Sequence, residues 1–336
     1  MGPTCGIDLD VVARNARAWA AFAGVPVRAV LKCDGYNWGA PRLAAALEAT
    51  CEAFCVADAD EFFALRPLTS LPIVVLGAVD VAHLRDVLHG DGRPTVATRD
   101  EVAIASAWAA QNDRPLRLRV GVLPAAGWSG LDLPALIDLA GPLAESGARV
   151  EVWTHVTGAS ASPEQIARFD RAVAMLRQAG VDVTGVDAGS TFSTADRSAP
   201  GSAVRIGVGL FGATGGPAVP GVANAIRLSG PVVRIDDYPA GTRIGYGERV
   251  LDRAARVATI RCGYGDGYPK DAPGLDDILS VGMQYTLSAA GSTVPGASVG
   301  LLDQRTNLDA FAANARRSVH EIVTTLGAAA RHLEER

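Results

Sequence analysis

Residues 29–40 read AVLKCDGYNWGA, so an apolar run from Ala29 to Leu31 meets Lys32 and then a cluster of glycine, tyrosine and asparagine. A lysine at the end of a buried strand can snorkel to water or pair with a carboxylate such as Asp34. Held in an apolar surround, its amine can instead form a Schiff base with a carbonyl cofactor or take up a proton. The stretch alone leaves these uses open, and the organisation around it decides between them.

Working outward, short apolar and β-branched runs recur as RAVLK, FCVA, IVVL, TVA, LRLRV, VEVWT, DVTGVDA and AVRIGV, ending near residues 32, 57, 76, 97, 120, 154, 188 and 208. The stretches between them have helical periodicity, as in APRLAAALEAT, RDEVAIASAWAAQ and SPEQIARFDRAVAMLRQAG. Strands alternating with helices pair in parallel, and eight such units within about 210 residues predict a closed (β/α)8 TIM-type barrel rather than an open sheet. After residue 222 the texture changes to short strands and turns: PVVRIDD, TRIGYGERV, RVATIRCGYGDGYP, ILSVGMQYTLSA and ASVGLL. The expected organisation is a barrel over residues 1–222, then a smaller, mainly β domain over 223–336 that finishes in a helix.

Composition narrows the function. With 336 residues, 49% of them hydrophobic, 20% charged, and a net charge of -5, the chain reads as a globular enzyme with no electrostatic footprint for nucleic acid or an anionic membrane. A small-molecule partner is favoured. No secretory segment and no membrane-length apolar run is found, so a cytoplasmic protein is expected. The five cysteines, Cys5, Cys33, Cys51, Cys55 and Cys262, are odd in number and lack CxxC spacing, so neither a disulfide framework nor a metal site is expected.

In a barrel of this class the active site lies at the C-terminal ends of the strands. Lys32 ends the first run, His155 ends the sixth in VWTHVTG, Ser190 follows the seventh in DAGSTFST, and Arg205 lies on the eighth in AVRIGVGLFG. Gly207, Gly209 and Gly212 spell GxGxxG. The match follows the eighth strand rather than the first βα turn of a doubly wound sheet, and no acidic partner stands in the proper strand context, so a dinucleotide fold is rejected. The loops after the seventh and eighth strands are instead where barrels seat a phosphate, for which Ser190, Gly207 and Val208 are the candidates. A strand-end lysine, a phosphate cup on the opposite arc and a histidine between them describe a seat for pyridoxal 5'-phosphate (PLP).

These segments together resemble the alanine racemase family of fold-type III PLP enzymes over nearly the whole chain. AVLKCDGYNWGA resembles its lysine signature, VWTHVTG its histidine strand, GVDAGSTFST and AVRIGVGLFG its phosphate segment, IGYGERV its tyrosine turn, and IRCGYGDGYP the opening of its C-terminal domain. The resemblance implies that Lys32 is both the Schiff-base lysine and the proton-transfer base on one face of the substrate. Tyr246 is then the base on the other face, reaching the site of a neighbouring subunit in a head-to-tail homodimer. It further implies that Tyr36, Ser190, Gly207 and Val208 hold the phosphate, that His155 lies near the ring, and that Arg205 contacts the pyridine nitrogen. A phenol ionises only well above neutral pH, so Tyr246 needs nearby positive charge, which Arg205 and a cationic His155 would supply.

The chain also departs from the family pattern. Where the family has a lysine, then DTG and an arginine on the fifth strand, this chain reads LRVGVLPAAGWSG, with Arg119 at the lysine and Trp128 at the arginine that touches phenolate and substrate carboxylate. Leu302 stands at the usual methionine beside Asp303, and with Trp128 these are the candidate substrate contacts. The C-terminal segment ends LGAAARHLEER, with alanine near the place of a second phosphate-binding tyrosine. The resemblance therefore implies an amino-acid racemase whose substrate need not be alanine, with the carboxylate clamp missing unless Arg305 or another cation substitutes. The alternatives are a PLP-dependent lyase, decarboxylase or aldolase on the same fold, and a PLP-binding protein without turnover.

Overall fold

The computed structural model describes the chain except residues 1, 125–128, 157–161, 199–200, 247–248, 272–276 and 335–336. Its strands are β1 (Thr4–Ile7), β2 (Val27–Val30), β3 (Ala53–Val56), β4 (Ile73–Ala78), β5 (Gly92–Thr95), β6 (Arg117–Gly121), β7 (Arg149–Trp153), β8 (Asp182–Asp187) and β9 (Val204–Ile206). Strands β2 to β9 form one eight-stranded sheet in the order β8-β7-β6-β5-β4-β3-β2-β9, and every ladder in it is parallel. The sheet curls shut where Ser202 N–H donates to Val186 O at 2.8 Å and Asp187 bridges Gly201. This is the expected (β/α)8 barrel. Its strands overlap the eight apolar runs, although β5 (GRPT) lies mostly before TVA and shares only Thr95 with it, and several strands carry charged residues, among them Arg28, Arg93, Arg119, Glu151 and Asp187, that pair with one another inside the barrel.

The intervening helices start where the sequence supplies caps. Asp8 accepts from Val11 N–H at the start of α1 (Leu9–Ala23), which ends at Gly24 with φ 71°. Thr98 and Glu101 form a reciprocal capping box that starts the helix Arg99–Asn112.

A second, antiparallel sheet follows, built on β10 (Ile226–Tyr238) and continued by β11 (Arg243–Ile244), β12 (Arg249–Val250), β13 (Ala255–Ile260), β14 (Ile278–Val281), β15 (Thr286–Ala289) and β16 (Ser298–Leu302), although β11 and β12 pair only with each other. One expectation is corrected here. Residues Thr4–Ile7 do not join the barrel but pair antiparallel with β10, Cys5 opposite Leu228. The chain thus begins in the second sheet, enters the barrel and returns. Two helices, Leu308–Asn314 and Val319–Glu334, close the fold, and the second lies against the segment that follows β2.

Candidate active site

A cavity of ≈ 760 Å³ opens at the C-terminal ends of the barrel strands, and Lys32, Tyr36, His155, Ser190, Arg205, Gly207 and Val208 all line it. The structure therefore brings together seven residues drawn from four separate stretches of sequence.

The lysine end is built by an unusual turn. Cys33, Asp34, Gly35, Tyr36 and Asn37 all have positive φ, between 48° and 67°, so the chain winds left-handed directly after Lys32. That conformation costs an L residue about 1–2 kcal/mol, and it persists only where its surroundings hold it. Here Gly35 N–H donates to Leu31 O and Asn37 N–H to Cys33 O, both at 2.8 Å, while the Glu61 carboxylate accepts from Cys33 N–H at 2.5 Å. The C-terminal helix adds a clamp: Arg331 donates to Asn37 O at 2.6 Å and pairs with Asp34 at 2.7 Å, and Trp38 Nε1 donates to Val323 O at 3.0 Å. The result directs Tyr36 into the cavity wall.

At the other end, a β-carbon built on Gly207 would lie 2.1 Å from the Tyr36 hydroxyl, so that hydroxyl sits directly over a glycine backbone. Gly207 N–H itself donates to Thr191 Oγ1 at 3.2 Å. Val208 opens the 3-10 turn Val208–Phe211, where the first N–H groups have no partner within the turn. Ser190 starts the helix Thr191–Ala195 and lies 3.1 Å from Ser193, oxygen to oxygen.

Between the two ends stands Arg205, whose guanidinium donates to Thr154 O at 2.6 Å and pairs with Asp187 at 2.6 Å. His155 is pushed down to about 4 by burial first and then by Arg205, Lys32 and His320, so near pH 7 it is a neutral imidazole. That corrects the expectation of a cationic His155. The cavity thus carries an amine, a guanidinium and two imidazoles in a largely apolar wall, an arrangement suited to a dianionic aromatic ligand.

Comparison with known proteins gives this geometry a context. Residues 7–215 match the family model "Alanine racemase, N-terminal domain" and residues 225–333 match "Alanine racemase, C-terminal domain". The chain belongs to the alanine racemase family. It is 30% identical to the alanine racemase of Acidiphilium cryptum, over 97% of this chain and 96% of that one. Among solved structures it resembles alanine racemase from Acinetobacter baumannii with a TM-score of 0.82, at 18% identity and covering 97% of both chains. It also resembles alanine racemase from Bartonella henselae with covalently bound pyridoxal phosphate (TM-score 0.78, 21% identity, 97% of both chains). A third is histidine racemase from Leuconostoc mesenteroides (TM-score 0.74, 21% identity, 96% and 95% of the two chains). These likenesses carry the fold, and the family membership supports an amino-acid racemase of divergent type.

Several features set this alanine racemase family member apart. Arg119 does not reach the cavity: it is fully buried inside the barrel, bonded to Glu151 and Asp187 at 3.2 Å each. Trp128 lies outside the described residues. Leu302 is 2% exposed and pairs with Leu228 in the second sheet, so the structure does not bring it to this cavity. Asp303 binds Arg305 at 2.8 Å on the surface, and neither lines the cavity of its own chain. Tyr246 is 66% exposed and is absent from the cavity wall of its own chain.

Sequence reasoning missed two contributors. Trp153, at the end of β7, lines the cavity beneath Arg205, and His320, at the start of the C-terminal helix, enters between Tyr36 and Phe192, its ring centroid 6.4 and 5.5 Å from theirs. The last helix therefore meets the cavity through a histidine that precedes the alanines of LGAAAR. Trp153 could have been found from its place two residues before His155, on the same side of a strand end; His320 leaves no such mark.

Proposed function

We propose that the chain is a PLP-dependent amino-acid racemase that exchanges the α-proton between two bases, Lys32 and Tyr246 of a second copy. The observation that carries this reading is the convergence of Lys32, Tyr36, His155, Ser190, Arg205, Gly207 and Val208 on one cavity in a chain of this family. The residues fit the group: an amine stands at one end, the Tyr36 hydroxyl and a backbone left bare by Gly207 form a cradle at the other, and Arg205 is fixed between them. When bound, PLP supplies an electron sink that makes the α-proton of an amino acid labile.

The chain's own groups do the rest. Lys32 Nζ anchors the cofactor and then carries a proton at one face. Tyr36, Ser190 and Val208 hold the phosphate and so fix the ring against in-plane sliding. Arg205, a permanent cation bound on its rear edge, would keep a bound ring nitrogen from taking a proton, which would weaken the electron sink and favour simple proton exchange over loss of carbon. Neutral His155 packs near the ring without adding charge.

Tyr246 supports the two-copy reading. Its exposure and its absence from the wall of its own cavity leave it available to another subunit, and its side chain hydrogen-bonds that of Tyr264. A head-to-tail pair would place it opposite Lys32. The membership and the histidine racemase neighbour leave the substrate as an amino acid of unfixed side chain. No helix among the described residues is long and apolar enough to cross a membrane, and a cytoplasmic enzyme is the proposed setting.

The deciding experiment incubates the PLP-loaded protein with a panel of amino acids in heavy water. Deuterium at the α-carbon, with both enantiomers formed and no carbon lost, is the expected result. Release of carbon dioxide or an aldehyde would replace this reading with the decarboxylase or aldolase, and no exchange with any of the panel would favour a PLP-binding protein without turnover.

A further inference from the structure

The cavity and the barrel interior meet at one carboxylate. Asp187, at the end of β8, is 1% exposed, and its Oδ2 lies 2.6 Å from Arg205 Nη1, 3.2 Å from Arg119 Nη2 and 3.9 Å from Arg28 Nη1. The guanidiniums of Arg205 and Arg119 lie over the ring of Trp153, at 5.4 and 5.5 Å from its centroid. Below, Glu151 takes Arg28 at 2.6 Å, Arg93 at 3.0 Å and Arg119 at 3.2 Å, and Glu52 takes Arg28 at 2.7 Å. Four guanidiniums, of Arg28, Arg93, Arg119 and Arg205, are thus set against three carboxylates in a column that runs from the lower mouth of the barrel to the cavity.

We propose that Asp187 is a positioning residue that sets how much positive charge Arg205 presents to the cavity, because it divides a single oxygen between Arg205 and Arg119. This rests on the reading of the cavity as a PLP seat. A carboxylate placed only for stability uses both oxygens, since a buried acceptor without a donor costs about 1–3 kcal/mol. Asp187 Oδ1 has no hydrogen-bond partner among the described residues, and neither has Arg119 Nη1. The arrangement leaves hydrogen bonds unmade while holding two like charges over one indole, so it is the charge balance, shared among β6, β8 and β9, that the junction maintains. Arg205 has no carboxylate but Asp187 within bonding distance among the described residues, so any competition from Arg119 increases the net charge at the cavity. Arg119 therefore acts on the site from behind, through Asp187.

The test is a charge cycle read by the acid–base titration of the visible absorbance of PLP linked at Lys32, with circular dichroism of each protein to verify the fold. The charged and titratable groups that face Asp187 are Arg28, Arg119, Arg205, His155 and Cys55, with Glu151 across Arg119. Asp187→Asn removes a negative charge, and the midpoint should fall by on the order of one pH unit. Arg119→Met removes a positive charge and should raise it by a similar amount, and the double variant should return towards the wild-type midpoint. A purely structural carboxylate would lower thermal stability in both single variants without moving the midpoints in opposite directions, and that result overturns the proposal. Should Asp187→Asn not fold, Arg119→Met and the charge-matched double variant decide it by the same rule. A wild type that forms no borohydride-stable link at Lys32 would sink the cofactor reading and this proposal together, whereas a linked wild type with unmoved variant midpoints sinks this proposal alone.

Discussion

Gly327 of the C-terminal helix lies against the backbone of Tyr36, so closely that a β-carbon on it would come within 2.6 Å of the Tyr36 carbonyl oxygen and 2.9 Å of the Asn37 carbonyl carbon. A glycine inside a helix normally costs about 1 kcal/mol relative to alanine. Here it permits the helix to seat the left-handed turn that follows Lys32, and the atoms it spares are backbone, which cannot rotate away.

Gly327→Ala should therefore destabilise the protein by about 1–3 kcal/mol despite its better helix propensity, because overpacking against fixed backbone outweighs the propensity gain. Urea unfolding of the apo protein measures it. A raised midpoint would show that the turn gives way freely. PLP uptake should also weaken in this variant, since Tyr36 and Lys32 are the two ends of the displaced turn.

Gly207→Ala puts a methyl group where the Tyr36 hydroxyl now sits, 2.1 Å from the new carbon. The hydroxyl must swing out of the cradle, and the loss of one charge-assisted hydrogen bond to phosphate, worth about 1.5–3 kcal/mol, should weaken PLP affinity by roughly ten-fold or more. Tyr36→Phe should give a similar loss. Fluorescence titration of the apo protein with PLP reads both, and unchanged affinity in either would remove Tyr36 from the cradle.

Lys32→Ala should abolish the borohydride-stable PLP link, located by peptide mapping, whereas Lys270→Ala should leave it in place, these being the chain's two lysines. Tyr246→Phe should keep the link and lose α-proton exchange for one enantiomer only. Mixed Lys32→Ala and Tyr246→Phe chains should regain activity, since one site of each heterodimer draws an intact lysine from one chain and an intact tyrosine from the other. Failure of the mixture to recover, in heterodimers verified by mass, would count against a site shared between copies.

The pH dependence of stability follows from His155. Its folded pKa, lowered to about 4, lies below the unfolded value near 6.5, so the unfolded state binds more protons between those limits. The contribution of neutral His155 is complete above pH 6.5 and is lost as pH falls towards 4. His320, lowered by burial and by Lys32, acts in the same direction. Thermal melting of the apo protein at pH 7.5 and at pH 5 should show a marked drop, and His155→Gln should shrink it. An equal drop in both proteins would mean that the carboxylates alone account for acid sensitivity.

The sequence by itself determined the barrel and named most of the candidate site. Short apolar runs mark most of the barrel strands, and the active-site rule for barrels then points at strand ends, so Lys32, His155, Ser190 and Arg205 are legible from spacing alone. Gly207 is legible as a backbone feature, though not the Tyr36 contact that requires it.

What only the tertiary structure decided are the relations between distant stretches that share no period. Thr4–Ile7 pairs with β10 because a short strand carries no information about its partner; the hydrogen-bond ladder forms wherever an edge is exposed. Arg119 looked like a substitute at the cavity, but the depth of a side chain inside a barrel depends on the neighbours that neutralise it, and Glu151 and Asp187 draw it inward. His320 and Gly327 belong to an ordinary amphipathic helix in sequence, and they gain their roles only where that helix docks on the turn after Lys32. Strand periodicity is a property of one segment, whereas docking and charge balance belong to pairs of segments, and that physical difference separates what could be read from the chain from what its folding had to supply.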